Sequence, residues 1–548
     1  MDIIRLIYPE LAVLAAATLL FLMGMSGSLA VRRAAPWIAL LGLLVAAFLQ
    51  VGALGAGPLQ RVESDLANTL RGSDFSHFIK LLVACVGVLF VLLSWPSNRE
   101  QTGNSALGFD REGPEYFALV LCAVSGVMLV SCSNDMLLLF MGIELASIPT
   151  YVLVSMSRPL AVAQEAGVKY FFLGAMSAAL LLFGFSYLYG TTGLSDFHAI
   201  ASQFAETQTI NQSTSMSAWT MLAFVMIFVA LAFKLAAVPL HFYAGDVYEG
   251  AATPVTALLS FVPKVTGVVA LVKLIWVAGA GVGAVPEQLA YLLWWMAVLT
   301  MTVGNVLALW QNNVKRLLAY SSVAHSGYLL VGLATYAWMT KGGGAPAPSQ
   351  RDALQGVIFY VVAYGIMNAG AFGVLMLLPT RQRVPGIDGR DVIPPATSAE
   401  TFEDIQGVGR RYPALGLAMA VACFSLIGLP LTVGFWGKVF LILPALHAGL
   451  YALVVITVVN AAISAGYYLR IVGAMFLHSP GRDEASAPGF LLRSTPITVA
   501  IAISVFGSML FGTLPQAVEL LHSQAVSAAV IETESTLPLD AAASLDAR

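Results

Sequence analysis

The sequence predicts an all-α polytopic membrane protein with about fourteen transmembrane helices, and three observations carry that prediction. Apolar residues fill 58% of the 548 positions and charged residues 10%, whereas soluble domains carry about 25% charged residues. Apolar windows of about 20 residues, the length that crosses a bilayer as a helix, recur along the chain. Lysine and arginine gather in alternate loops, as the cytoplasmic loops of such a bundle require. The length alone would fit several soluble domains, but these windows make one helical bundle the better reading. A net charge of -3 leaves no basic patch, which excludes nucleic acid as a partner.

In order, the windows fall at 6–29, 36–54, 77–95, 116–133, 136–156, 167–189, 219–241, 254–279, 288–310, 316–337, 354–378, 413–443, 448–477 and 495–520. The first resembles a signal peptide in ending at Ser28-Leu29-Ala30, but Asp2 and Arg5 cancel before it and the run is too long. It is read as the first membrane helix. One set of alternate loops holds Arg32, Arg33, Arg99, Arg111, Arg158, Lys315, Arg316, Arg381, Arg383, Arg390, Arg410, Arg411, Arg482 and Arg493. The other holds only Arg5, Arg61, Arg71, Lys341, Arg351 and Arg548, and its long 190–218 loop has Asp196 and Glu206 but no Lys or Arg. Both termini are therefore expected outside, on the periplasmic side, with the 379–412 loop in the cytoplasm. The tail beyond Ser523 reads as a short surface segment.

Two helices carry breaks. Residues 233–264, FKLAAVPLHFYAGDVYEGAATPVTALLSFVPK, set Lys234 five residues before Pro239, then Asp246 and Glu249, then Pro263-Lys264. A proline frees a backbone carbonyl, and a central charge costs about 2.5 to 3.5 kcal/mol on insertion scales. A broken helix lining a hydrated cavity tolerates both. Ala237-Val238-Pro239-Leu240 in the seventh helix is echoed by Gly428-Leu429-Pro430-Leu431 in the twelfth. Glu144 in the fifth helix is echoed at nearly the same offset by His325 in the tenth, one polar residue answering another. Five helices separate each pair, so the copies run in opposite directions, as inverted repeats require.

Of eight lysines, Lys80, Lys234, Lys264, Lys273 and Lys438 fall within or at the ends of apolar windows, while almost all nineteen arginines lie in loops or at helix ends. Lysine inside a membrane can give up its proton and arginine in practice cannot, so this selection suits proton transfer. Lys80 and Lys273 are expected to snorkel to the headgroups. Lys234 and Lys264 flank the breaks, and the break in the twelfth helix draws Lys438 inward. Glu144, in GIELASIPTYV, is best buried opposite a lysine. Such a pair is either a proton switch or a static ion pair. His325, in VKRLLAYSSVAHSGY, is either a proton relay or a hydrogen-bonded packing residue. Lys315-Arg316 mark a cytoplasmic helix end, and Asp246 and Glu249 are loop acids suited to capping, a partner contact or proton uptake.

Other chemistry is missing from the pattern. There is no phosphate loop, and Gly279-Ala280-Gly281-Val282-Gly283 follows a membrane helix rather than a strand. Cys85, Cys122, Cys132 and Cys423 have no metal or disulfide spacing and read as small core residues. The seven histidines show no paired spacing for haem or metal. Moving one proton against the membrane potential costs about 2.3 kcal/mol per 100 mV. Another ion gradient or another subunit must supply that energy.

FKLAAVPLHFYAGDVYEGAATPVTALL, KRLLAYSSVAHSGY and GLPLTVGFWGK closely resemble signatures of the N-subunit family of bacterial respiratory complex I, the type I NADH:quinone oxidoreductase. This family is similar in turn to subunits of Mrp-type cation/proton antiporters. The resemblance implies three N-terminal helices at 1–115, inverted five-helix repeats at 116–280 (helices four to eight) and 281–478 (helices nine to thirteen), and helix fourteen with a tail at 479–548. It implies discontinuous helices seven and twelve, and a proton-transfer axis of Glu144, Lys234, Lys264, His325 and Lys438. Residues 337–353 and 480–494 look like family-variable insertions. The family's flavin, iron-sulfur and quinone sites belong to other subunits, so no cofactor is expected in this chain. The implied partners are neighbouring antiporter-like and small subunits within the bacterial inner membrane. Quinone reduction elsewhere would then shift the Glu144/Lys234 pair and drive a proton through Lys264 and His325 to Lys438. The alternatives are an Mrp-like antiporter subunit, which would show sodium-dependent transport, and a passive scaffold.

Overall fold

The computed structural model describes residues 6–53, 69–96, 112–158, 161–211, 216–279, 285–339, 348–378, 384–385, 391–392, 398–477 and 494–514. Unbroken membrane helices are α1 (Tyr8–Gly24), α2 (Ala35–Ala53), α3 (Asp74–Leu93), α4 (Gly113–Cys132), α5 (Met136–Met156) and α6 (Ala161–Thr192). α7 has two pieces, Ala218–Lys234 and Tyr243–Gly250. α8 (Thr253–Gly279), α9 (Glu287–Leu309), α10 (Val314–Met339) and α11 (Pro348–Leu377) follow. α12 is again split, into Pro413–Ile427 and Val433–His447, before α13 (Tyr451–Leu477) and α14 (Thr495–Thr513). Eleven described helices are long and apolar enough to cross a membrane, while α1, the first piece of α7 and both pieces of α12 are shorter. Each of these fourteen helices overlaps its expected window, although the second piece of α7 lies beyond the end of its own, and the 379–412 stretch read as a loop contains short helices at Phe402–Ile405 and Val408–Arg411. The 190–218 stretch, read as a loop, contains a helix at Phe197–Asn211.

Arg5, Arg61, Arg99, Arg111, Lys341, Arg381, Arg383, Arg390, Arg482, Arg493 and Arg548 lie outside the described residues, as do most of 480–494 and the tail beyond 514.

Burial sorts the helices into layers. α8 is enclosed along its length and α10 and α11 nearly so, whereas α2, α6, α13 and α14 turn most of their surface outward. Those outer faces carry Phe172, Phe183, Val458 and Phe506, all strongly exposed. A coat of large apolar side chains over helices with internally satisfied backbones suits lipid, not water. Polar residues mark the starts of helices. The Asp135 carboxylate accepts from the Leu137 and Leu138 amides at the start of α5, and the Ser217 hydroxyl accepts from Thr220 at the start of α7.

Close packing recurs in a fixed register. Gly126 of α4 lies so near Ala146 of α5 that a Cβ would strike its backbone nitrogen. Gly304 of α9 and Ala324 of α10 stand at one common offset from that pair and repeat its contact, with a Cβ falling 2.6 Å from the Ala324 nitrogen. The helix starts repeat at the same offset: Met136 N–H donates to the Ser195 carbonyl at 3.0 Å, and Val314 N–H to the Glu400 carbonyl at 2.7 Å. These paired contacts are the two repeats seen as packing. They also correct a detail, because the expected match of Glu144 to His325 is out by nearly one helical turn. In the register that sets Gly304 against Gly126, the counterpart of His325 is Ser147, and that of Glu144 is Ser322.

Both breaks are answered by neighbours. After Lys234 the chain turns through Ala236 at φ 53° and a cis Val238–Pro239 bond. The Ala237 amide returns to Ala232 O at 2.7 Å. Tyr243 OH donates to Phe233 O at 2.8 Å, Ser326 Oγ to Leu235 O at 2.5 Å, and Val238 N–H to Thr300 Oγ1 at 3.0 Å. Side chains from α9 and α10 thus replace the lost helical bonds, which membrane-buried backbone requires. In α12 the turn uses Gly428 at φ 87°, a conformation that glycine adopts without strain.

Candidate functional site

Glu144 and Lys234 meet where α5 passes the first piece of α7. Lys234 is that piece's last residue and is buried, with Nζ 3.4 Å from Glu144 Oε1. It also donates to Ser147 Oγ at 2.8 Å and Tyr151 OH at 3.3 Å. Pro149 removes one donor from α5, and two nearby hydroxyls bond back to the helix: Ser147 to Ile143 O at 2.5 Å and Thr150 to Ser147 O at 2.6 Å. Glu144 keeps 17% of its side chain exposed, beside the outward-facing Met141 and Ile148.

Beyond Lys234 a small cavity opens, lined by Tyr170, Lys234, Ala236, Tyr243, Tyr248, Leu259 and Lys264. It has polar partners on several sides and room for about one water. Lys264 follows Pro263 in α8 and donates to the Ser322 carbonyl of α10, with its ammonium 5.0 Å from the centre of the Tyr364 ring. Tyr248 OH and Ser322 Oγ stand 3.1 Å apart on the same side.

His325 lies one turn beyond Ser322 and is 1% exposed. Its Nδ1 meets Tyr360 OH of α11 at 2.5 Å, and its Nε2 meets Tyr468 OH of α13 at 3.1 Å. The Tyr468 hydroxyl is shared with Ser321 Oγ. Tyr328 bridges toward the last lysine: its ring packs edge-on against His325 at 5.6 Å and sits 4.7 Å below the Lys438 ammonium. Lys438 Nζ donates to Ile427 O at 2.6 Å and Leu426 O at 3.1 Å. Those carbonyls end the first piece of α12, where the helix dipole is negative and intrahelical partners are missing.

The five sequence-predicted residues therefore follow one another from α5 to α12, with Lys234, Lys264, His325 and Lys438 buried and Glu144 partly exposed at the α5 end. The line crosses between the repeats where Lys264 meets Ser322. The hydroxyls that fill its gaps, Ser147, Tyr151, Tyr248, Ser322, Tyr360 and Tyr468, were missed because serine and tyrosine inside an apolar window read as filling. The YSS and GYY clusters beside His325 and Arg470 were the available signal.

Three expectations are corrected. Lys80 does not snorkel: it is fully enclosed and pairs with Glu10 at 2.7 Å. Lys273 is also buried, and donates to the Ser133 carbonyl at the end of α4 at 2.5 Å. In both cases an acceptor inside the bundle takes the ammonium. Cys85 is exposed rather than core, on an outward face of α3, although Cys132 and Cys423 are buried. Asp246 and Glu249 are engaged in ion pairs, an arrangement outside the alternatives of capping, partner contact and proton uptake and one that does not choose among them. Asp246 pairs with Lys169 at 2.8 Å and Arg316 at 3.1 Å, and Glu249 pairs with Arg316 at 2.7 Å. Lys315, expected only to mark a helix end, is buried and bridges the Ala251 carbonyl to Glu400.

Two broken helices in repeated halves, strung along a buried line of lysines, define a multi-pass membrane subunit of the antiporter-like class. Residues 133–464 match the family described as NADH:quinone oxidoreductase/Mrp antiporter, transmembrane. A relative from Trichlorobacter lovleyi named NADH-quinone oxidoreductase subunit N is 36% identical over 491 residues, covering 89% of this chain and 90% of the relative. The chain belongs to this subunit N family. A chain in the structure of respiratory complex I from Thermus thermophilus with bound aureothin superposes with a TM-score of 0.70 at 28% identity, covering 94% of this chain and 99% of that one. A chain of the Mrp complex from Dietzia shares the fold, with a TM-score of 0.74 at 18% identity over 98% of both chains.

Proposed function

We propose that this chain is the proton-translocating, non-redox membrane subunit of an NADH:quinone oxidoreductase, working beside other membrane subunits in a bacterial inner membrane with both termini on the periplasmic side. Flavin, iron-sulfur clusters and quinone are assigned to the partner subunits. Units at 1–115, 116–280, 281–478 and 479–548 are its three N-terminal helices, two repeats and closing helix with tail.

The observation that carries the reading is the contact of Lys234 with both a carboxylate and two hydroxyls, next to a water-sized cavity that leads to Lys264. The ammonium has somewhere to lose its electrostatic partner and somewhere to send a proton. Energy released at the quinone would displace charge near Glu144 and weaken its hold on Lys234. The proton would then move to Lys264, through His325 and its tyrosines, and on to Lys438.

NADH-driven proton pumping in membranes carrying Lys234→Ala tests this, with a control that the complex assembles. Loss of pumping and of quinone reductase activity is expected. Full activity in an assembled complex would leave the chain a scaffold or an independent antiporter, which sodium-gradient transport would separate.

A further inference from the structure

Two buried ionisable groups have no place in that axis. Glu10 of α1 and Lys80 of α3 pair at 2.7 Å, their side chains 5% and 0% exposed. Lys80 Nζ also donates to Leu6 O at 2.8 Å. The Cys132 thiol, at the end of α4, approaches Glu10 Oε1 at 3.7 Å. One turn from Lys80, His77 Nδ1 meets Gln50 Oε1 of α2 at 2.7 Å. Next to Cys132, the Ser133 carbonyl accepts from Lys273 of α8. Among the described residues, the titratable and charged groups around the pair are thus His77, Cys132 and Lys273, with Arg71 joined through its backbone N–H to the Cys132 carbonyl at 2.8 Å; α2 contributes the neutral Gln50.

Glu10 Oε2 is buried and has no hydrogen-bond partner among the described residues. A bare buried acceptor costs about 1–3 kcal/mol, and more when charged. A proton on that atom removes the charged part of the cost, and a water beside it supplies the missing hydrogen-bond partner in either protonation state. A purely static pair gives no reason for such an oxygen, and buried ion pairs are in any case weak devices for stability. The position is also suited to exchange. Glu10 and His77 lie in the first turns of α1 and α3, and Cys132 is the last residue of α4, so the site sits near one membrane face.

We propose that Glu10 and Lys80 form a proton-binding site, separate from the Glu144-to-Lys438 axis, that exchanges one proton with water at that face through Glu10 Oε2. On uptake an O–H bond forms at Oε2 with a proton from hydronium, leaving a neutral carboxyl beside the Lys80 ammonium. On release that bond breaks and the proton returns to water. The ammonium occupies Oε1 throughout, which is why Oε2 is the exchanging atom.

Infrared difference spectroscopy of the assembled complex in lipid, stepped between acid and alkaline buffer, reads this directly. The parent should show a titrating carboxylic C=O band that is lost in Glu10→Gln, shifts in deuterated buffer, and changes its midpoint in Lys80→Met. Glu10→Asp retains a displaced band, so the test survives if Glu10→Gln fails to assemble. Identical spectra for parent and Glu10→Gln, or a band insensitive to deuterated buffer, overturn the proposal. Neither result bears on Lys234→Ala pumping, so failure here and failure of the functional reading are separately visible.

Discussion

Gly304→Ala is a one-carbon change outside the lysine line that should nevertheless disable it. The added Cβ would stand 2.6 Å from the Ala324 nitrogen and 3.0 Å from its Cα. Ordinary contact needs about 3.5 Å, so α9 and α10 must separate by roughly 0.9 Å or distort. The obstacle is backbone, so no side-chain rotation relieves it. His325 is the next residue along α10, and its two tyrosine bonds of 2.5 and 3.1 Å leave little tolerance for that shift. Overpacking of this kind costs about 1–3 kcal/mol of stability. A misplacement near 1 Å costs about 100-fold in a step that depends on alignment. The expected outcome is an assembled complex of moderately reduced thermal stability, with NADH-driven pumping and coupled quinone reductase activity down by one to two orders of magnitude. Gly190→Ala, where a Cβ meets nothing within 4 Å, is the control and should behave as the parent. Parent-like pumping by assembled Gly304→Ala would refute the reasoning: either the helices separate without disturbing His325, or His325 is not on the path.

Two further outcomes follow from named contacts. Lys438→Arg keeps a cation near the Leu426 and Ile427 carbonyls but holds its proton in practice; assembly should persist while pumping in reconstituted vesicles is lost, and retained pumping would assign Lys438 a merely electrostatic role. Glu400→Gln should lower the thermal inactivation midpoint of the purified complex, because Glu400 is clamped between Arg158 and Lys315 and removing one partner of a buried pair costs about 3–5 kcal/mol. Burial alone would raise the Glu400 pKa, but Lys315 and Arg158 overcome it and hold the carboxyl below its usual range. Its stabilisation is therefore present above the unfolded value of about 4.3 and lost as pH falls through the lower folded value. Acid sensitivity in that window should be weaker in Glu400→Gln, and an unchanged acid profile would remove Glu400 from the account.

The membrane helices were legible because each must carry its own apolar run, and both breaks were legible because proline and charge are expensive there. Lys234 and Lys264 could be picked out for the same reason. Lys80 was misread because a sequence shows how far a lysine lies from a helix end but not what waits beside it. Its partner Glu10 lies two helices earlier in the chain, and only the packing of the bundle brings α1 and α3 together at this point. The hydroxyl and tyrosine contacts were hidden for a related reason. Tyr468 reaches His325 from the far end of the second repeat, and nothing local distinguishes it from Tyr467, which instead donates to Asn305. The repeat register was blurred by nearly a turn because the two halves keep their backbone contacts but not their polar residues.

That last divergence bears on how the axis would work. Lys234 precedes its break and meets a carboxylate, whereas Lys438 follows its break and meets two backbone carbonyls and the face of the Tyr328 ring. Lys264 likewise rests on a carbonyl. Among the described residues on the line, Glu144 is the only carboxylate against three lysines and a histidine. Two unit charges about 4 Å apart interact by about 4 kcal/mol even at an effective dielectric of 20, while neutral dipoles cannot be moved off their helices. Glu144 is thus the one carboxylate counter-charge on the line among the described residues, and it is partly exposed beside the outward-facing Met141 and Ile148. At the Lys438 end, among the described residues, the ammonium faces neutral groups: two carbonyls and the Tyr328 ring. If the line carries protons as proposed, this asymmetry between the two breaks would place its control at α5 and its response at α12.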